Sequence, residues 1–260
     1  MRHNNIPIYS NKDFENMRKA GSLAAHVLDS LYEKISPGIS TLEINDICHK
    51  IIIKNNATPA PLNYKGFPKS VCTSVNHVVC HGIPSEKKIL EEGDMINVDV
   101  TVILNGWYGD SSRMFVAGKT NKKNYNFLKL TYESLLAGID EAVPGNHIGD
   151  IGNKIQNLAE SKGYSVVKDF CGHGIGKEFH TPPSVLHFGE PGEGPRLEPG
   201  MFLTIEPMIN MGGWQTKILN DGWTAVTKDR SLSAQFEHTI GITENGNEIF
   251  TLSKNDTAFQ

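Results

Sequence analysis

Asp99 and Asp110 lie on either side of an Asn105-Gly106 turn. Asn-Gly between two strand-like runs favours a two-residue type I′ hairpin loop. Counting outward from this turn pairs Thr101 with Asp110 and Asp99 with Ser112. Both carboxylates then point from one face of the hairpin as diagonal neighbours, with their backbones about 7 to 8 Å apart. This arrangement is typical of side chains that hold a metal ion.

The opposite face of the outgoing strand is apolar at every second position, at Ile96, Val98, Val100, Val102 and Leu104. Such a period-2 pattern predicts that this face packs against a core. Two acids beside a core repel each other and lose hydration, unless a cation or a solvent-filled site offsets the cost. The hairpin therefore predicts a metal site at the edge of a hydrophobic core.

The segment that leads to Asp99 recurs later in the chain. Leu-Glu-Glu-Gly at 90–93 returns as Leu-Glu-Pro-Gly at 197–200, and Glu206 follows it as Asp99 follows the first, at an offset of 107 (206 minus 99). Pro-Gly at 37–38 returns at 144–145 with the same offset (144 minus 37). The common offset indicates a duplication, so we expect Glu206 to face Asp99 across one site.

Three further residues complete a candidate ligand set: His173 in a glycine-rich loop, Glu206 and Glu237. Four carboxylates and one imidazole suit two divalent cations, whose charge the four acids balance. The oxygen-rich donors disfavour copper and leave Mn²⁺, Fe²⁺, Co²⁺ or Zn²⁺. Taken alone, each acid is more often solvated or salt-bridged, and the histidine more often an ordinary loop residue. The hairpin register and the repeat favour the metal.

The loop that contains His173 has alternating glycines, which also occur in nucleotide-binding loops. The following segment contains Pro182-Pro183 and does not open a long helix, so it offers no helix N-terminus to a phosphate. The glycines instead let backbone and imidazole approach a crowded site. His180, and His81, which echoes His173 at an offset of 92 (173 minus 81), are candidates for polarising a substrate carbonyl or moving a proton, with ordinary loop histidines as the alternative. The remaining histidines are interpreted as surface or structural residues: His3, His26, His49, His77, His147 and His187.

Composition limits the class of protein. The chain has 260 residues, of which 38% are hydrophobic and 21% charged, enough for one large or two small globular units. A net charge of −4 and a pI near 6.2 argue against nucleic-acid binding. Four cysteines without a CxxC pair indicate free thiols in a reducing compartment. Because no apolar run approaches about 18 residues and no signal core begins the chain, we expect a cytoplasmic protein without a membrane span.

Apolar periodicity predicts four helices, at residues 14–35, 42–55, 128–143 and 148–162. It predicts strands at 70–75, 95–104, 107–115, 165–167, 201–205, 224–227 and 235–243. Each half therefore has the order helix, helix, strands, and no low-complexity linker divides them. We predict an α/β (α+β) fold and a single catalytic domain, 1–260, with related halves at about 10–118 and 119–252.

Six segments in order resemble type I methionine aminopeptidases over nearly the whole chain: VCHGIP at 79–84, NVDVT at 97–101, GDSS at 109–112, CGHGIG at 171–176, TIEPM at 204–208 and SAQFEH at 233–238. The resemblance implies the pita-bread fold of that family, in which a curved, mainly antiparallel sheet with pseudo-two-fold symmetry is covered by helices from both halves. It implies five ligands for two divalent ions, with Asp110 and Glu237 bridging: Asp99, Asp110, His173, Glu206 and Glu237.

The resemblance also implies the roles of other residues. His81 and His180 contact the substrate, and Glu206 is a proton shuttle. A pocket for the methionine side chain is expected from Tyr64, Phe67, Cys72, Phe179 and Trp223, because aromatic rings and sulfur suit a thioether. Each of these five is also compatible with core packing, and Phe67 stands where tyrosine is common in the family. Asn76, Val78 and Ser233 resemble a monovalent-cation site.

The activity implied by the resemblance is removal of the initiator methionine from nascent polypeptides whose second residue is small. A water molecule activated at the two ions (Co, Mn, Fe or Zn) attacks the scissile carbonyl, and the free α-amine of the substrate coordinates one ion. The partners implied are nascent peptides with N-terminal methionine, in transient proximity to the ribosome. No nucleic-acid or membrane partner is expected, and the protein is expected to be a monomer.

Chain length narrows the subtype. Only 33 residues separate His173 from Glu206 (206 minus 173), too few for the helical insertion of type II enzymes. The short N-terminus lacks the zinc-finger ribosome anchor of longer type I relatives, so a bacterial or organellar type is expected. One alternative is an X-Pro aminopeptidase or prolidase, although those relatives generally carry an additional N-terminal domain. Another is a binding module that has lost its metals, against which the five intact candidate ligands argue.

Overall fold

The computed structural model describes residues 6–256, in which two pairs of consecutive α-helices are each followed by strands, and a short 3₁₀ helix spans Tyr64–Gly66. The helices are α1 (Asn11–Asp29), α2 (Thr41–Lys54), α3 (Lys122–Glu141) and α4 (Ile148–Ser161). All four were predicted, and their ends differ. The first ends at Asp29 instead of 35, and the third begins six residues early because Asn121 caps it by accepting a hydrogen bond from the Asn124 N–H at 2.9 Å.

The strands pair antiparallel throughout. They are β1 (Thr58–Pro59), β2 (Cys72–Val75), β3 (Val78–Cys80), β4 (Met95–Leu104), β5 (Trp107–Val116), β6 (Ser165–Val166), β7 (Gly172–Gly174), β8 (Thr181–Val185), β9 (Phe202–Ile205), β10 (Met208–Asn210), β11 (Thr216–Ile218), β12 (Ala225–Thr227), β13 (Ser233–Gln235), β14 (His238–Thr243) and β15 (Gly246–Ile249). The two largest sheets have the orders β1-β4-β2, with β5 paired to β4, and β15-β14-β9-β7-β8. The two smaller sheets have the orders β13-β10-β6 and β11-β12-β3.

The predicted hairpin register is confirmed. In the β4–β5 pair, Thr101 lies opposite Asp110 and Asp99 lies opposite Ser112. The turn residues Asn105 and Gly106 have φ angles of 52° and 80°. Positive φ at both positions is what a type I′ turn requires. The two aspartates therefore share one face of the hairpin.

The prediction of a single strand at 235–243 was wrong. The structure has two strands there, β13 and β14, because the chain passes from one sheet to another. Gln235 pairs with Met208 in one sheet, whereas His238 pairs with Ile205 in another. Glu237 lies between the two strands and forms an isolated bridge to Ser112. The seven strands that were not predicted, β1, β3, β7, β8, β10, β11 and β15, have two to five residues each. Five of them have two or three residues, which is too short for a period-2 pattern to be read.

Hydrogen bonds recur at the offset of the sequence repeat. Gly38 N–H donates to the Leu90 carbonyl at 2.8 Å, and Gly145 N–H donates to the Leu197 carbonyl at 3.0 Å. Isolated bridges join Ser40 to Ile89 and, 107 residues later (147 minus 40), His147 to Arg196. These recurrences support a duplication. The division into two halves within one domain stays a prediction.

Separate apolar cores lie under the two pairs of helices. One contains Leu28, Ile44 and Val98, and the other contains Leu135, Ile151 and Leu203. A smaller aromatic cluster joins the halves, since Phe14 of α1 meets Phe202 of β9 with ring centroids 4.8 Å apart. No helix within residues 6–256 is long and apolar enough to cross a membrane. The strands that carry the candidate ligands are thus packed against both cores.

We predict that Gly109→Ala destabilises the fold, because a Cβ on β5 would overlap the backbone carbonyl of Ala20 in α1. Overpacking of this kind costs about 1–3 kcal/mol, and occasionally more. Gly246→Ala is the matched control, since a Cβ there meets nothing within 4 Å. Urea unfolding measures both variants. Equal free energies of unfolding for the two would contradict the tight packing of α1 on β5.

Candidate metal centre

The β4–β5 hairpin brings two carboxylates to one cavity. Asp99 and Asp110 both line a cavity of about 240 Å³. Oδ1 of Asp110 accepts a hydrogen bond of 2.7 Å from the hydroxyl of Thr101, its partner across the hairpin. The Cys72 thiol donates to Asp99. Each aspartate is therefore oriented by a side chain that the strand register places beside it.

A third carboxylate comes from the sheet crossing between β13 and β14. The Glu237 N–H donates to the Ser112 carbonyl at 3.0 Å, and the Ser111 hydroxyl donates to the Glu237 carbonyl at 2.8 Å. The Thr239 hydroxyl donates to the Asp110 carbonyl at 2.6 Å. These three hydrogen bonds join residues 110–112 of β5 to residues 237–239. They therefore fix the positions of Asp110 and Glu237 relative to each other.

His173 and Glu206 complete the group from β7 and the end of β9. Nε2 of His173 lies 3.7 Å from Oδ2 of Asp110 and 3.7 Å from Oε1 of Glu206. Nδ1 of the same ring lies 3.0 Å from the Gly174 carbonyl oxygen, so Nε2 is the ring nitrogen that faces the acids in the cavity. One ligand atom each from Asp110, His173 and Glu237 lies within 4.8 Å of the other two. The structure thus brings together all five residues that sequence reasoning singled out as ligands, and all five line the cavity.

The charge on this group fits a divalent cation. Burial raises the pKa of Asp99 to about 7. Burial first, and the neighbouring acids second, raise the pKa values of Asp110, Glu206 and Glu237 well above their usual range. Within residues 6–256, none of the four acids forms an ion pair with a lysine or arginine. Four crowded carboxylates without a cationic side chain are the donors that hard and borderline divalent ions bind.

Two more histidines reach the cavity beside these acids. Nδ1 of His180 lies 3.0 Å from the Tyr64 hydroxyl, and the His180 and His173 ring centroids are 4.2 Å apart. Burial, followed by the charge of His173, lowers the pKa of His180 to about 3, so the ring is neutral. His81 lines the same cavity with φ at 56°, a value that costs energy for any residue except glycine.

The five residues expected to hold a methionine side chain also line this cavity: Tyr64, Phe67, Cys72, Phe179 and Trp223. Phe67 meets Trp223 edge to face, with ring centroids 5.2 Å apart. Tyr64 and Phe179 form a second aromatic pair at 4.9 Å. All four cysteines are free thiols, and Cys72, Cys80 and Cys171 lie at the cavity.

The residues of the suggested monovalent-cation site lie close together, with Asn76 in the β2–β3 turn, Val78 at the start of β3 and Ser233 at the start of β13. The Ser233 N–H donates to the Asn76 carbonyl at 2.9 Å, and Val78 begins β3 directly after that turn. Asn76 has φ at 56°. Nothing here tests whether a cation binds, so this site stays a prediction.

Comparisons with known proteins agree with a metal centre at this cavity. A sequence profile described as metallopeptidase family M24 matches residues 15–244. The chain belongs to this family. It is 55% identical over 249 residues to a methionine aminopeptidase of Rickettsia prowazekii, with 95% of this chain and 96% of that protein covered. It is 54% identical over 249 residues to methionine aminopeptidase A of Synechocystis, with 96% and 98% covered.

Solved structures of M24 relatives have the same architecture. The methionine aminopeptidase of Rickettsia prowazekii superposes with a TM-score of 0.94, at 55% identity, over 95% of this chain and 100% of that one. The enzyme of Thermotoga maritima gives 0.93 at 40% identity, again over 95% and 100%. The predicted pita-bread fold is confirmed. A prolidase from Pyrococcus furiosus, at 23% identity and a TM-score of 0.75, shares the fold.

Some polar residues of this M24 site were missed by sequence reasoning. The Thr204 hydroxyl donates to Oε1 of Glu206 at 2.9 Å, and Gln235 Nε2 donates to Oε2 at 3.2 Å. The sequence could have indicated Thr204, because residues two apart on a strand point to the same face and Thr204 lies two residues before Glu206. It could not have indicated Gln235, because Gln235 belongs to another sheet and only the fold brings it to Glu206.

The histidines interpreted as surface or structural have different environments. His26 is exposed on α1, His49 hydrogen-bonds Ser70, His77 lies in the β2–β3 turn and His147 precedes α4. His3 lies outside the described residues. His187 is fully buried, and its Nε2 accepts a hydrogen bond of 3.1 Å from the Glu206 N–H, a contact that sequence reasoning did not find.

We predict opposite effects of Asp110→Asn with and without metal. In the presence of a chelator the variant unfolds at the wild-type temperature or above it, because one of four crowded carboxylates is removed. An ion at 100 times its dissociation constant stabilises the wild type by about 2.7 kcal/mol and leaves the variant unchanged. Thermal unfolding with chelator and with Mn²⁺ measures this.

The control for this experiment is Glu91→Gln, which changes an exposed acid outside the cavity. Its unfolding temperature should equal that of the wild type, both with chelator and with Mn²⁺. A variant at Asp110 that gains as much stability from Mn²⁺ as the wild type, with the same metal content by elemental analysis, would exclude Asp110 as a ligand.

Proposed function

We propose that this chain is a methionine aminopeptidase, which hydrolyses the first peptide bond of polypeptides that begin with methionine and have a small second residue. The observation that carries the proposal is one cavity in which acids and imidazoles lie beside an aromatic, sulfur-containing wall. Relatives at 49–55% identity over nearly the whole chain are named methionine aminopeptidases, which supports the same activity.

The residues that would hold two divalent ions are Asp99, Asp110, His173, Glu206 and Glu237. The ion is Mn²⁺, Fe²⁺, Co²⁺ or Zn²⁺, because the donor set is rich in oxygen and includes one imidazole. Bound there, such ions supply Lewis-acid polarisation of a carbonyl and generate a nucleophile from water at neutral pH. A buried group of four acids without a cationic side chain supports this assignment.

Glu206 is proposed to move the proton. Its two carboxylate oxygens accept hydrogen bonds from Thr204 and Gln235, so the carboxylate is held in one orientation. Its side chain is 14% exposed, and burial raises its pKa well above the usual range of a glutamate. Held in this orientation, the Glu206 carboxylate would accept a proton from the attacking water and return it to the leaving amine.

His180 and His81 are proposed to stabilise the carbonyl oxygen as it gains charge. If the Tyr64 hydroxyl donates to Nδ1 of the neutral His180 ring, the proton of that ring lies on Nε2, where it can be donated to an oxyanion. His81 is held by edge-to-face contacts with Phe170 and Trp223, at centroid distances of 5.6 and 6.1 Å. Both rings are therefore oriented before a substrate enters.

The cavity limits what the site accepts. At about 240 Å³ it is smaller than the pockets that usually enclose drug-sized ligands, so it suits one side chain and the atoms next to it rather than a longer peptide segment. Tyr64, Phe67, Cys72, Phe179 and Trp223 are proposed to contact the methionine. The physiological substrates are proposed to be nascent chains in the cytoplasm, met by a monomeric enzyme close to the ribosome.

The first test is peptide cleavage by protein loaded with Mn²⁺. We expect release of methionine from Met-Ala-Ser and not from N-acetyl-Met-Ala-Ser or Met-Leu-Ser. Gly-Pro should remain uncleaved, and its preferential hydrolysis would favour a prolidase instead. His81→Ala should lower kcat/KM about 100-fold or more, as expected for loss of an oxyanion donor. His26→Ala, an exposed histidine on α1, is the control and should leave kcat/KM unchanged.

The second test addresses the methionine pocket. Trp223→Ala should lower kcat/KM for Met-Ala-Ser roughly tenfold, about 1.4 kcal/mol, because an aromatic wall of the cavity is lost. The metal affinity measured by calorimetry should not change. Trp214→Ala is the matched control, since Trp214 packs beside Lys168 outside the cavity. Unchanged kcat/KM for Trp223→Ala would remove Trp223 from the pocket.

A further inference from the structure

The structure assigns to His187 the role of a positioning residue, which holds the backbone of Glu206 and thereby the direction of its carboxylate. The assignment rests on the proposed function, in which Glu206 is a metal ligand. His187 does not line the cavity. It acts through Glu206, whose N–H donates to Nε2 of His187 at 3.1 Å.

The backbone of Glu206 needs such a partner because the strand ladder stops before it. The last residue of β9, Ile205, pairs with His238, and Pro207 after Glu206 has no N–H to donate. The Glu206 N–H therefore lies outside the sheet and inside the protein. Leaving a buried donor unpaired is costly, and the backbone would otherwise turn to find an acceptor.

The imidazole of His187 has no competing polar contact. The ring is 0% exposed, and within residues 6–256 its Nδ1 has no hydrogen-bond partner. Acceptance by Nε2 requires that this nitrogen carry no proton, so the proton of the neutral ring lies on Nδ1. Among the described residues, the hydrogen bond to Glu206 is thus the one hydrogen bond of the ring.

The segment around His187 packs closely against α4. A Cβ atom added at Gly152 of α4 would lie 2.5 Å from the Phe188 carbonyl oxygen and 2.7 Å from the Leu186 carbonyl oxygen. A larger residue at 152 would push this segment away. The close approach of α4 therefore fixes His187 on one side, and Glu206 is fixed on the other.

Glu206 is held at both ends by this arrangement. Thr204 and Gln235 bond its carboxylate, and His187 bonds its backbone. A metal ligand works only when its oxygen lies within a few tenths of an ångström of the ion, and partners that orient ligands typically contribute 10–100-fold to metal affinity. Loss of the backbone contact should therefore weaken metal binding even when the ligand itself is intact.

The experiment compares His187→Gln with His187→Leu. Glutamine keeps an acceptor oxygen at the same reach, whereas leucine fills the space without one. We expect Mn²⁺ affinity, measured by calorimetry on chelator-treated protein, to fall about 10–100-fold in His187→Leu and to stay within about threefold of wild type in His187→Gln. Ile155→Ala, a truncation in the core under α4, is the control for lost stability and should keep wild-type affinity.

Two results would overturn the assignment: folded His187→Leu protein that binds Mn²⁺ as tightly as wild type, or an equal loss in His187→Gln and His187→Leu. In either case metal binding by the wild type persists and the proposed function stands. Wild-type protein that binds no metal at all would instead remove the metal centre, and this inference with it.

A second measurement does not depend on the folding of variants. In wild-type protein loaded with Zn²⁺, nitrogen-15 NMR of the histidine rings distinguishes the two tautomers of His187. We expect an unprotonated Nε2 coupled through the hydrogen bond to the Glu206 amide. A proton on Nε2 would overturn the assignment, because that nitrogen could then not accept.

Discussion

The mutual repulsion of four carboxylates inside one cavity is the constraint on which the rest of the structure depends. Asp110 and Glu237 are each 3% exposed, and no lysine or arginine in residues 6–256 pairs with them. Groups in this state have raised pKa values and destabilise the fold until a cation binds. Neighbouring hydroxyl, thiol and amide donors therefore hold the acids in place, and the proposed metal ions would supply the opposite charge.

Two distant parts of the chain bring these acids together. Asp99 and Asp110 come from the β4–β5 hairpin, and Glu206 directly follows β9, 107 residues after Asp99 (206 minus 99). The Ser111 hydroxyl donates to the Glu237 carbonyl and the Thr239 hydroxyl donates to the Asp110 carbonyl, so the two parts are bonded to each other at the site itself. The strands on both sides pack on separate apolar cores, which keeps the site in one shape.

The sequence predicted the hairpin and the four helices, because each depends on residues that are close together in the chain. The hairpin register followed from the Asn105-Gly106 turn alone, and the four helices followed from apolar periodicity. The break at Glu237 could not be predicted, since it depends on which sheet each neighbour joins. The positive φ of His81 and the contact of His187 with Glu206 have no local signature either, because both arise from residues distant in the chain.

The candidate ligands differ in how the backbone directs their side chains. Asp99 and Asp110 lie within a strand ladder, so the pleat alone sets their direction. Glu206 and Glu237 lie where ladders end, and their N–H groups are bonded to His187 and to the Ser112 carbonyl, outside a regular strand pair. Leaving the ladder frees these two side chains from the alternation of the sheet, and they can turn towards the aspartates. The backbone N–H of each then needs an acceptor outside the strand ladders, His187 Nε2 for Glu206 and the Ser112 carbonyl for Glu237, so the position of each side chain depends on a contact between distant parts of the chain.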